Sequence, residues 1–135
     1  MSHLEVVAAI IINNGEILCM QRGIGKYDYV SYKYEFPGGK LESGESQEQA
    51  LMRELSEEMN LNIIITPEDF FMTVEYNYPD FSITMHSYIC CVNNRSFTRK
   101  EHISHTWLRS QSLETLDWAQ ADMPIVKKLM EVMRI

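Results

Sequence analysis

Three glutamates within the segment RELSEE have a spacing that suits a divalent metal ion. On an α-helix with 3.6 residues per turn, Glu54, Glu57 and Glu58 stand at positions i, i+3 and i+4 and share one face. Neighbouring carboxylates repel one another unless a cation lies among them. Oxygen ligands suit a hard ion such as Mg²⁺ or Mn²⁺, and magnesium commonly completes its shell with substrate phosphates. The spacing therefore indicates a metal site that a phosphorylated ligand would complete.

A solvated acidic helix face is the alternative interpretation, because runs of like charge most often face water. The stretch from Gly38 to Leu61 holds six glutamates against one lysine and one arginine. Three of these glutamates, Glu42, Glu45 and Glu48, are consistent with a solvated face. Spacing alone leaves the metal site and the solvated face equally open.

The helix that carries the three closely spaced glutamates is predicted at residues 46–59. Leu51, Leu55 and Met59 recur at i, i+4 and i+8 and form an apolar stripe beside the carboxylates. This stripe should pack on a sheet, which would place the carboxylates near the sheet edge. Glycines ahead of the helix would let backbone carbonyl oxygens approach a metal ion there.

The other predicted elements are two β-hairpins, a short strand and a second helix. The first hairpin spans residues 6–22 with a turn at 13–15, and the second turns at 79–80. The remaining predictions are a loop at 23–33, an extended piece at 34–36, a β-branched stretch at 63–66, strands at 70–78, 81–92 and 105–108, and a helix at 123–133. Asp122 is the predicted N-cap of that helix, and Pro124 lies in its first turn. Together they predict an α/β (α+β) sandwich, in which both helices pack on a mixed central sheet.

The composition indicates one domain, residues 1–135, without a repeat or linker. Twelve basic against nineteen acidic residues give a net charge of −7, which argues against long nucleic acid but permits a phosphorylated ligand held through metal ions. No apolar run is long enough to span a membrane, and the first residues lack a signal-peptide pattern. Cys19, Cys90 and Cys91 lack zinc or disulfide spacing and are predicted to be core residues in a reducing cytoplasm.

The segment from Gly39 to Leu61 resembles the Nudix box, G-x5-E-x7-R-E-U-x-E-E-x-G-U, in which U is an aliphatic residue. The matching residues are Gly39, Glu45, Arg53, Glu54, Leu55, Glu57, Glu58 and Leu61. The one departure is Asn60, where the family has glycine. Outside the box, EFPGGK, HTWL and WAQADMPIV resemble the MutT-type branch, particularly bacterial CTP pyrophosphohydrolases and oxidised-nucleotide diphosphatases.

The resemblance implies an enzyme that cleaves a nucleoside diphosphate linked to another group, with divalent metals assisting attack of water on phosphorus. The leading expectation is a Mg²⁺-dependent pyrophosphohydrolase, with Mn²⁺ as a substitute, that converts a nucleoside triphosphate to monophosphate and pyrophosphate. CTP, dCTP or modified pyrimidine nucleotides come first as substrates, and 8-oxo-dGTP-type purine nucleotides are the alternative. A sugar-nucleotide or dinucleoside polyphosphate hydrolase and a non-catalytic nucleotide-binding module are further alternatives. A monomer or homodimer is expected.

The resemblance also implies which residues would hold the metal. Glu57 and Glu58 are the main expected ligands, joined by the carbonyl oxygen of Gly38 or Gly39. Glu54 is either a further ligand or the base that orients the attacking water.

Two further residues have expected roles beside these ligands. Arg53 should hold Glu45 or Glu54 by charge-assisted hydrogen bonds, which its planar guanidinium suits. Glu101, six residues before Trp107, occupies a MutT-like position and is a candidate ligand or base. An exposed loop glutamate is an equal alternative for Glu101. An unchanged kcat in the variant E101Q would remove it from the mechanism.

The nucleotide base requires an apolar slot with a few polar groups. Tyr34 and Phe36 precede the glycines on the segment expected to line it. Asp122 stands where MutT-type enzymes place a base-reading residue; a carboxylate accepts from an exocyclic amino group and, once protonated, also donates. An N-cap alone is the alternative for Asp122. Arg22 or Lys26 would meet terminal phosphates, although a solvated loop charge is the simpler interpretation.

Asn60 has a structural explanation. The family glycine follows a helix where the chain commonly turns through a left-handed conformation, and asparagine tolerates that conformation better than most residues. Asn60 is therefore predicted to be a C-terminal cap with little bearing on the chemistry, so that Asn60→Gly should be neutral or slightly stabilising.

Overall fold

A computed structural model describes residues 2–133 and shows a mixed seven-stranded sheet with a helix on each face. The strands are β1 (Ser2–Asn13), β2 (Glu16–Gln21), β3 (Tyr34–Glu35), β4 (Gly38–Lys40), β5 (Phe70–Asn77), β6 (Phe81–Cys91) and β7 (Ser104–Leu108). The helices are α1 (Gln47–Met59) and α2 (Met123–Val132), and short 3₁₀ turns cover Pro67–Asp69, Ser110–Thr115 and Gln120–Asp122.

Strand β1 lies at the centre of the sheet. It pairs in parallel with β6 along residues 2–12 and antiparallel with β4 at residues 6–8. The order through the sheet is β3-β2-β1-β6-β5, with β4 paired to β1 and β7 paired to β2. Parallel and antiparallel pairs in one sheet confirm the predicted mixed arrangement.

The first predicted hairpin is correct at its turn and wrong along most of its length. The turn has positive φ angles, 50° at Asn14 and 76° at Gly15, as expected. However, β1 and β2 pair only at the two positions next to the turn. Residues 6–8 of β1 pair with β4 instead, which brings the glycine strand against the centre of the sheet.

Side chains of β1 alternate between two apolar layers, as the period of a strand requires. Val7, Ala9 and Ile11 lie in the layer that contains α1, and Ala8 and Ile10 lie in the layer that contains α2. The helix residues in these layers are Ala50, Leu51, Leu55 and Met59 of α1 and Ile125, Val126 and Leu129 of α2. The predicted sandwich and the apolar stripe of α1 are therefore confirmed.

Smaller corrections concern chain ends and cysteines. The second helix ends at Val132, one residue before the predicted end, and residues 63–66 form no helix or strand. Cys19 and Cys90 are buried as predicted, but the prediction for Cys91 is wrong, because this residue is exposed. Successive side chains of a strand point to opposite faces, so Cys91 leaves the layer that Cys90 enters.

Candidate active site

Helix α1 begins with a capping box that fixes where its glutamates lie. The Ser46 hydroxyl accepts from the Gln49 amide at 3.1 Å, and the Gln49 side chain accepts from the Ser46 amide at 3.0 Å. This reciprocal pair satisfies two amides that the helix cannot bond internally. With the apolar stripe packed on the sheet, the glutamate face is directed towards β4.

The two glycines of β4 lie too close to their neighbours for any side chain. A Cβ atom on Gly38 would lie 1.9 Å from the Val7 carbonyl oxygen, and one on Gly39 would lie 2.3 Å from the Glu54 carboxyl carbon. Because glycine has no Cβ, the strand backbone can approach both the sheet and the glutamate of α1. The predicted convergence of glycine backbone and carboxylate is therefore present.

Glu58 is at the centre of a group of three carboxyl groups. Its carboxyl group lies near those of Glu101 and Glu54, and both neighbours act on its pKa. Burial first, then the interactions with these two groups, raises the pKa of Glu58 to about 9. Glu101, which precedes β7, thus lies beside the box glutamates although it is 43 residues from Glu58 in sequence.

Arg53 links the other glutamates of the region. Its guanidinium donates to both Glu45 carboxylate oxygens at 2.6 and 2.9 Å, and also to Glu54 at 2.9 Å and Glu57 at 3.2 Å. Hydrogen bonds with Glu45 are the largest cause of a raised pKa at Arg53, and they lower the pKa of Glu45. A further bond to the Lys40 carbonyl at 3.1 Å joins this network to β4. The expected pairing of Arg53 with Glu45 and Glu54 is present.

The remaining glutamates have different environments. The side chain of Glu57 is 59% exposed and turned towards Arg53, and Glu42 is mostly exposed 3.7 Å from the same guanidinium. The suggestion that Glu48 is a solvated charge is wrong, because its carboxylate accepts a hydrogen bond from the Tyr88 hydroxyl. This bond raises the pKa of Tyr88, although burial is the larger cause.

The donor set fits a hard divalent cation. Within residues 2–133 no three histidine, cysteine or carboxylate side chains already stand in a coordination geometry, and Glu54 and Glu57 are hydrogen bonded to Arg53. The nearby ligands are nevertheless all oxygens, from carboxylates and the β4 backbone, which is the chemistry that Mg²⁺ and Mn²⁺ prefer. The crowding around Glu58 is also what a cation would relieve.

A cavity of about 690 Å³ connects these carboxylates to an apolar region of the protein. Its polar part includes Gly38, Gly39, Glu58 and Glu101. The apolar wall includes Tyr27, Val30, Phe36, Tyr78, Phe81, Ile83 and Met85. Apolar walls with a few convergent polar groups are typical of small-molecule sites.

Asp122 is the most deeply buried acidic residue that lines this cavity, with 4% of its surface exposed. It occupies the N-cap position of α2 as predicted, although its side chain makes no capping bond. Instead the carboxyl group accepts from the Phe36 amide at 3.0 Å. Burial first, and then the charge of Glu35, raises the pKa of Asp122 well above 3.8; the Phe36 amide and Arg22 oppose this shift.

Asp122→Asn should therefore stabilise the protein increasingly as pH rises. Above about pH 4 the unfolded aspartate loses its proton while the folded one keeps it, so folding binds a proton and wild-type stability falls as pH rises towards the folded pKa. The amide remains neutral and can still accept from Phe36. Urea unfolding between pH 4 and pH 8 should show a growing difference between the proteins. The exposed Asp28→Asn is the control, and a constant difference for D122N would contradict the assignment.

The sequence did not predict two of the residues that line the cavity. These are Glu35 and His102, which both lie in its wall. Glu35 is paired with Arg22 at 3.4 Å and with His102, whose side chain is 8% exposed, at 2.8 Å. The signal was available in Tyr34-Glu35, because neighbours in a strand face opposite ways. Tyr34 is not among the lining residues and packs instead against Trp118.

The other predicted substrate residues lie in the cavity wall. Phe36 is 3% exposed and stacks on Trp118 with ring centroids 4.7 Å apart. The Arg22 guanidinium forms an ion pair with Glu35, and the exposed Lys26 ammonium lies over the Tyr27 ring. The structure thus brings Arg22, Phe36 and Asp122 into one cavity with Glu58 and Glu101.

Comparison with known proteins agrees with this site. The model of the NUDIX domain family matches residues 1–129. An 8-oxo-dGTP diphosphatase of Escherichia coli K12 is 36% identical over 132 residues, covering 96% of this chain and 98% of the relative. A CTP pyrophosphohydrolase of the same strain is 34% identical over 130 residues, covering 96% and 93%. The NMR structure of MutT from methicillin-resistant Staphylococcus aureus 252 has a TM-score of 0.73 and 37% identity, covering 97% of this chain and 98% of that one.

The chain therefore belongs to the Nudix family. Its relatives include MutT-type proteins, and the chain is a nucleotide pyrophosphohydrolase that acts on a small nucleotide. Nudix hydrolases generally use a divalent cation such as Mg²⁺. Neither helix within residues 2–133 has the length and apolar character to cross a bilayer.

Proposed function

We propose that the chain is a Mg²⁺-dependent nucleoside triphosphate pyrophosphohydrolase that releases a monophosphate and pyrophosphate, with CTP, dCTP or a modified pyrimidine nucleotide as preferred substrate. The observation that carries the proposal is the buried carboxyl group of Asp122 in an aromatic cavity that also contains Glu58 and Glu101. Such a cavity can enclose a base at Asp122 while its phosphates reach the carboxylates.

The oxygen donors for Mg²⁺ in this proposal are the carboxylates of Glu54, Glu57 and Glu58, together with the carbonyl oxygen of Gly38 or Gly39. When held by these residues, Mg²⁺ would supply charge to polarise the phosphate and to lower the pKa of water. Mn²⁺ has a similar preference for oxygen ligands and is proposed to substitute.

The protein itself positions the reactants. Glu54 or Glu101 orients the attacking water and accepts its proton. Arg53 positions Glu54 through the hydrogen bond between them. Arg22, at the cavity wall, offers a positive charge to the phosphates. Because phosphoryl transfer asks for little covalent chemistry from the protein, placement and neutralisation of charge are the main contributions.

The preference for cytosine follows from the hydrogen-bonding capacity of a buried carboxyl group. In its protonated form, Asp122 can accept from the exocyclic amino group of cytosine and donate to the adjacent ring nitrogen. Its raised pKa favours that form. Uracil presents a carbonyl and a ring N–H in these positions, so in the same placement it pairs only if the proton moves to the Asp122 oxygen that accepts from the Phe36 amide, and that hydrogen bond disfavours the move. Phe36 and Tyr78 supply apolar wall for either ring.

An 8-oxo-dGTP diphosphatase is the second candidate. It is supported by the relative with that activity at 36% identity. A protonated carboxyl group can also donate to the guanine carbonyl and accept from the neighbouring ring N–H. The two candidate functions therefore differ in which base binds next to Asp122.

A panel of nucleotides tests both. With Mg²⁺, kcat/KM should be highest for CTP, dCTP or 5-methyl-dCTP and at least about tenfold higher for CTP than for UTP, because a buried hydrogen-bonding group rejects a mismatched partner strongly. Asp122→Ala should bring this ratio close to one. Asp122→Asn, which keeps one donor and one acceptor, should retain it.

Other results would identify other functions. The highest kcat/KM for 8-oxo-dGTP would establish the second candidate. Monophosphate plus sugar phosphate as preferred products, for example from ADP-ribose, would indicate a sugar-nucleotide hydrolase. Nucleotide binding without turnover, unaffected by Glu57→Gln, would indicate a non-catalytic module, and no pyrophosphate release with Mg²⁺ or Mn²⁺ would count against the proposal.

The same proposal includes the setting of the enzyme. Residues 1–135 act as one domain, as a monomer or homodimer, without long nucleic acid or a membrane as partner. The net charge of −7 supports the first of these exclusions. The exposed free thiol of Cys91 supports a reducing cytoplasm.

A further inference from the structure

The segment that carries Glu101 has no secondary structure of its own. Between the end of β6 and the start of β7, residues 92–103 form neither helix nor strand. Glu101 nevertheless lies in the wall of the same cavity as Glu58, where the two carboxyl groups act on one another. The contacts that fix this segment therefore bear on the site.

Two of these contacts use the last turn of α1. The Thr98 amide donates to the Met59 carbonyl at 2.9 Å, and the Lys100 ammonium donates to the Glu57 carbonyl at 3.1 Å. Carbonyl groups in the last turn of a helix have no partner within it, and a cation there also interacts favourably with the helix dipole. The end of α1 thus provides acceptors for the segment.

Two more contacts use the side chain of Asn60. Its Nδ2 donates to the Thr98 hydroxyl at 3.2 Å, and its Oδ1 accepts from the Lys100 ammonium at 3.2 Å. The backbone of Asn60 is in the predicted left-handed conformation, with φ 50° and ψ 35°, and its amide donates to the Ser56 carbonyl. Glycine would satisfy the backbone requirement equally well, but it has no side chain for the two other bonds.

We propose that Asn60 is a positioning residue, which fastens residues 98–100 to the end of α1 and thereby holds Glu101 against Glu58. This inference rests on the proposed hydrolase function in one respect, namely that Glu101 takes part in the reaction. Asn60 is two residues after Glu58, and Lys100 immediately precedes Glu101, so the contact joins the two carboxylates by a short path. The departure from the family glycine then serves the chemistry as well as the cap.

Asn60→Gly tests the proposal because it keeps the turn and removes only the side chain. We expect kcat to fall about three- to tenfold, with KM within about twofold of wild type, because the lost bonds are exposed and individually modest. The melting temperature should be unchanged or slightly higher, since glycine adopts a positive φ without strain. Asn62→Gly is the matched control: Asn62 is exposed, and its side chain makes no hydrogen bond within residues 2–133.

A double variant separates positioning of Glu101 from a general effect on the helix. In the Glu101→Gln background, Asn60→Gly should cause no further loss of kcat. Asn60→Asp, which can still accept from Lys100 and can accept from the Thr98 hydroxyl in place of donating to it, should retain more kcat than Asn60→Gly. Equal losses with and without the Glu101 carboxylate, an unchanged kcat in N60G, or an unchanged kcat in E101Q would each overturn the proposal.

Hydrogen exchange keeps this test independent of the proposed activity. In N60G the amide of Thr98, which is bonded to the Met59 carbonyl, should exchange at least about threefold faster than in wild type and in N62G. An unchanged rate would overturn the inference whether or not the protein hydrolyses nucleotides. Faster exchange in N60G, together with a wild-type protein that releases no pyrophosphate, would support the positioning contact and contradict only the proposed function.

Discussion

Glu58→Gln should lower kcat by about 10²–10³-fold while leaving the fold intact. Glu58 is near both Glu54 and Glu101 and lies in the wall of the cavity. Glutamine preserves the size of the side chain, and its amide can donate to both neighbouring carboxylates, but it is a poorer ligand for a hard cation. Kinetics of pyrophosphate release with Mg²⁺, together with the melting temperature, measure the two effects separately.

Glu68→Gln is the matched control for this substitution. Glu68 lies exposed in the 3₁₀ turn before β5, and its side chain makes no ion pair within residues 2–133. Addition of Mg²⁺ should raise the melting temperature of wild type and E68Q more than that of E58Q, since binding to the folded state stabilises it. A kcat for E58Q within about threefold of wild type would exclude the central role of this carboxylate.

The second large effect is a contrast between adjacent glycines. Gly38→Ala should destabilise the protein by about 3 kcal/mol or more, because the new Cβ would lie 1.9 Å from the Val7 carbonyl oxygen, a backbone atom that cannot move without breaking the β1–β4 pairing. Gly39→Ala meets the end of the Glu54 side chain instead, which can turn aside. Its stability should fall by about 1 kcal/mol, but kcat should fall by at least about tenfold because Glu54 is displaced.

Urea unfolding and steady-state kinetics of the two variants check this contrast. Gly25→Ala is the control, because a Cβ there would have no neighbour closer than 3.5 Å. If G38A were as stable as G25A, the close approach of Gly38 to the Val7 carbonyl would be contradicted. If G39A lost stability but kept its kcat, contact between Gly39 and Glu54 would have no part in the reaction.

The helix of the site was predictable because its determinants are local. Ser46 with Gln49 forms the capping box, the 3.6-residue period places Leu51, Leu55 and Met59 against the sheet, and Asn60 ends the helix in the left-handed conformation. Each of these features depends on residues within two turns of one another. The relative placement of Glu54, Glu57 and Glu58 follows from the same period.

The cavity was only partly predictable because its walls come from distant segments. Asp122 reaches the Phe36 amide across 86 residues, and this contact replaces the helix cap that local sequence favours. The same is true of Glu35, whose partner His102 belongs to the segment before β7. A pairing of this kind depends on the order of strands in the sheet, which hydrophobic period does not encode.

The loss of the predicted long hairpin has the same origin. The turn at Asn14 and Gly15 is encoded by adjacent residues. The pairing of β1 with β4 instead joins residues that are about thirty positions apart in sequence. Propensity favours the nearest strand as partner, but the two glycines of β4 can lie closer to β1 than residues with side chains could. Tertiary packing therefore decides the partner.

Arg53 affects the charge balance of the acidic face through its hydrogen bonds with three glutamates. Its guanidinium is anchored on both oxygens of Glu45, which leaves one nitrogen free to neutralise Glu54 and Glu57. This arginine is thus a counter-ion supplied by the protein itself, and it offsets part of the charge repulsion on the acidic face. In the proposed metal site, Glu54 and Glu57 would have to leave Arg53 before they could bind an ion, so the guanidinium would compete with the metal for the same carboxylates.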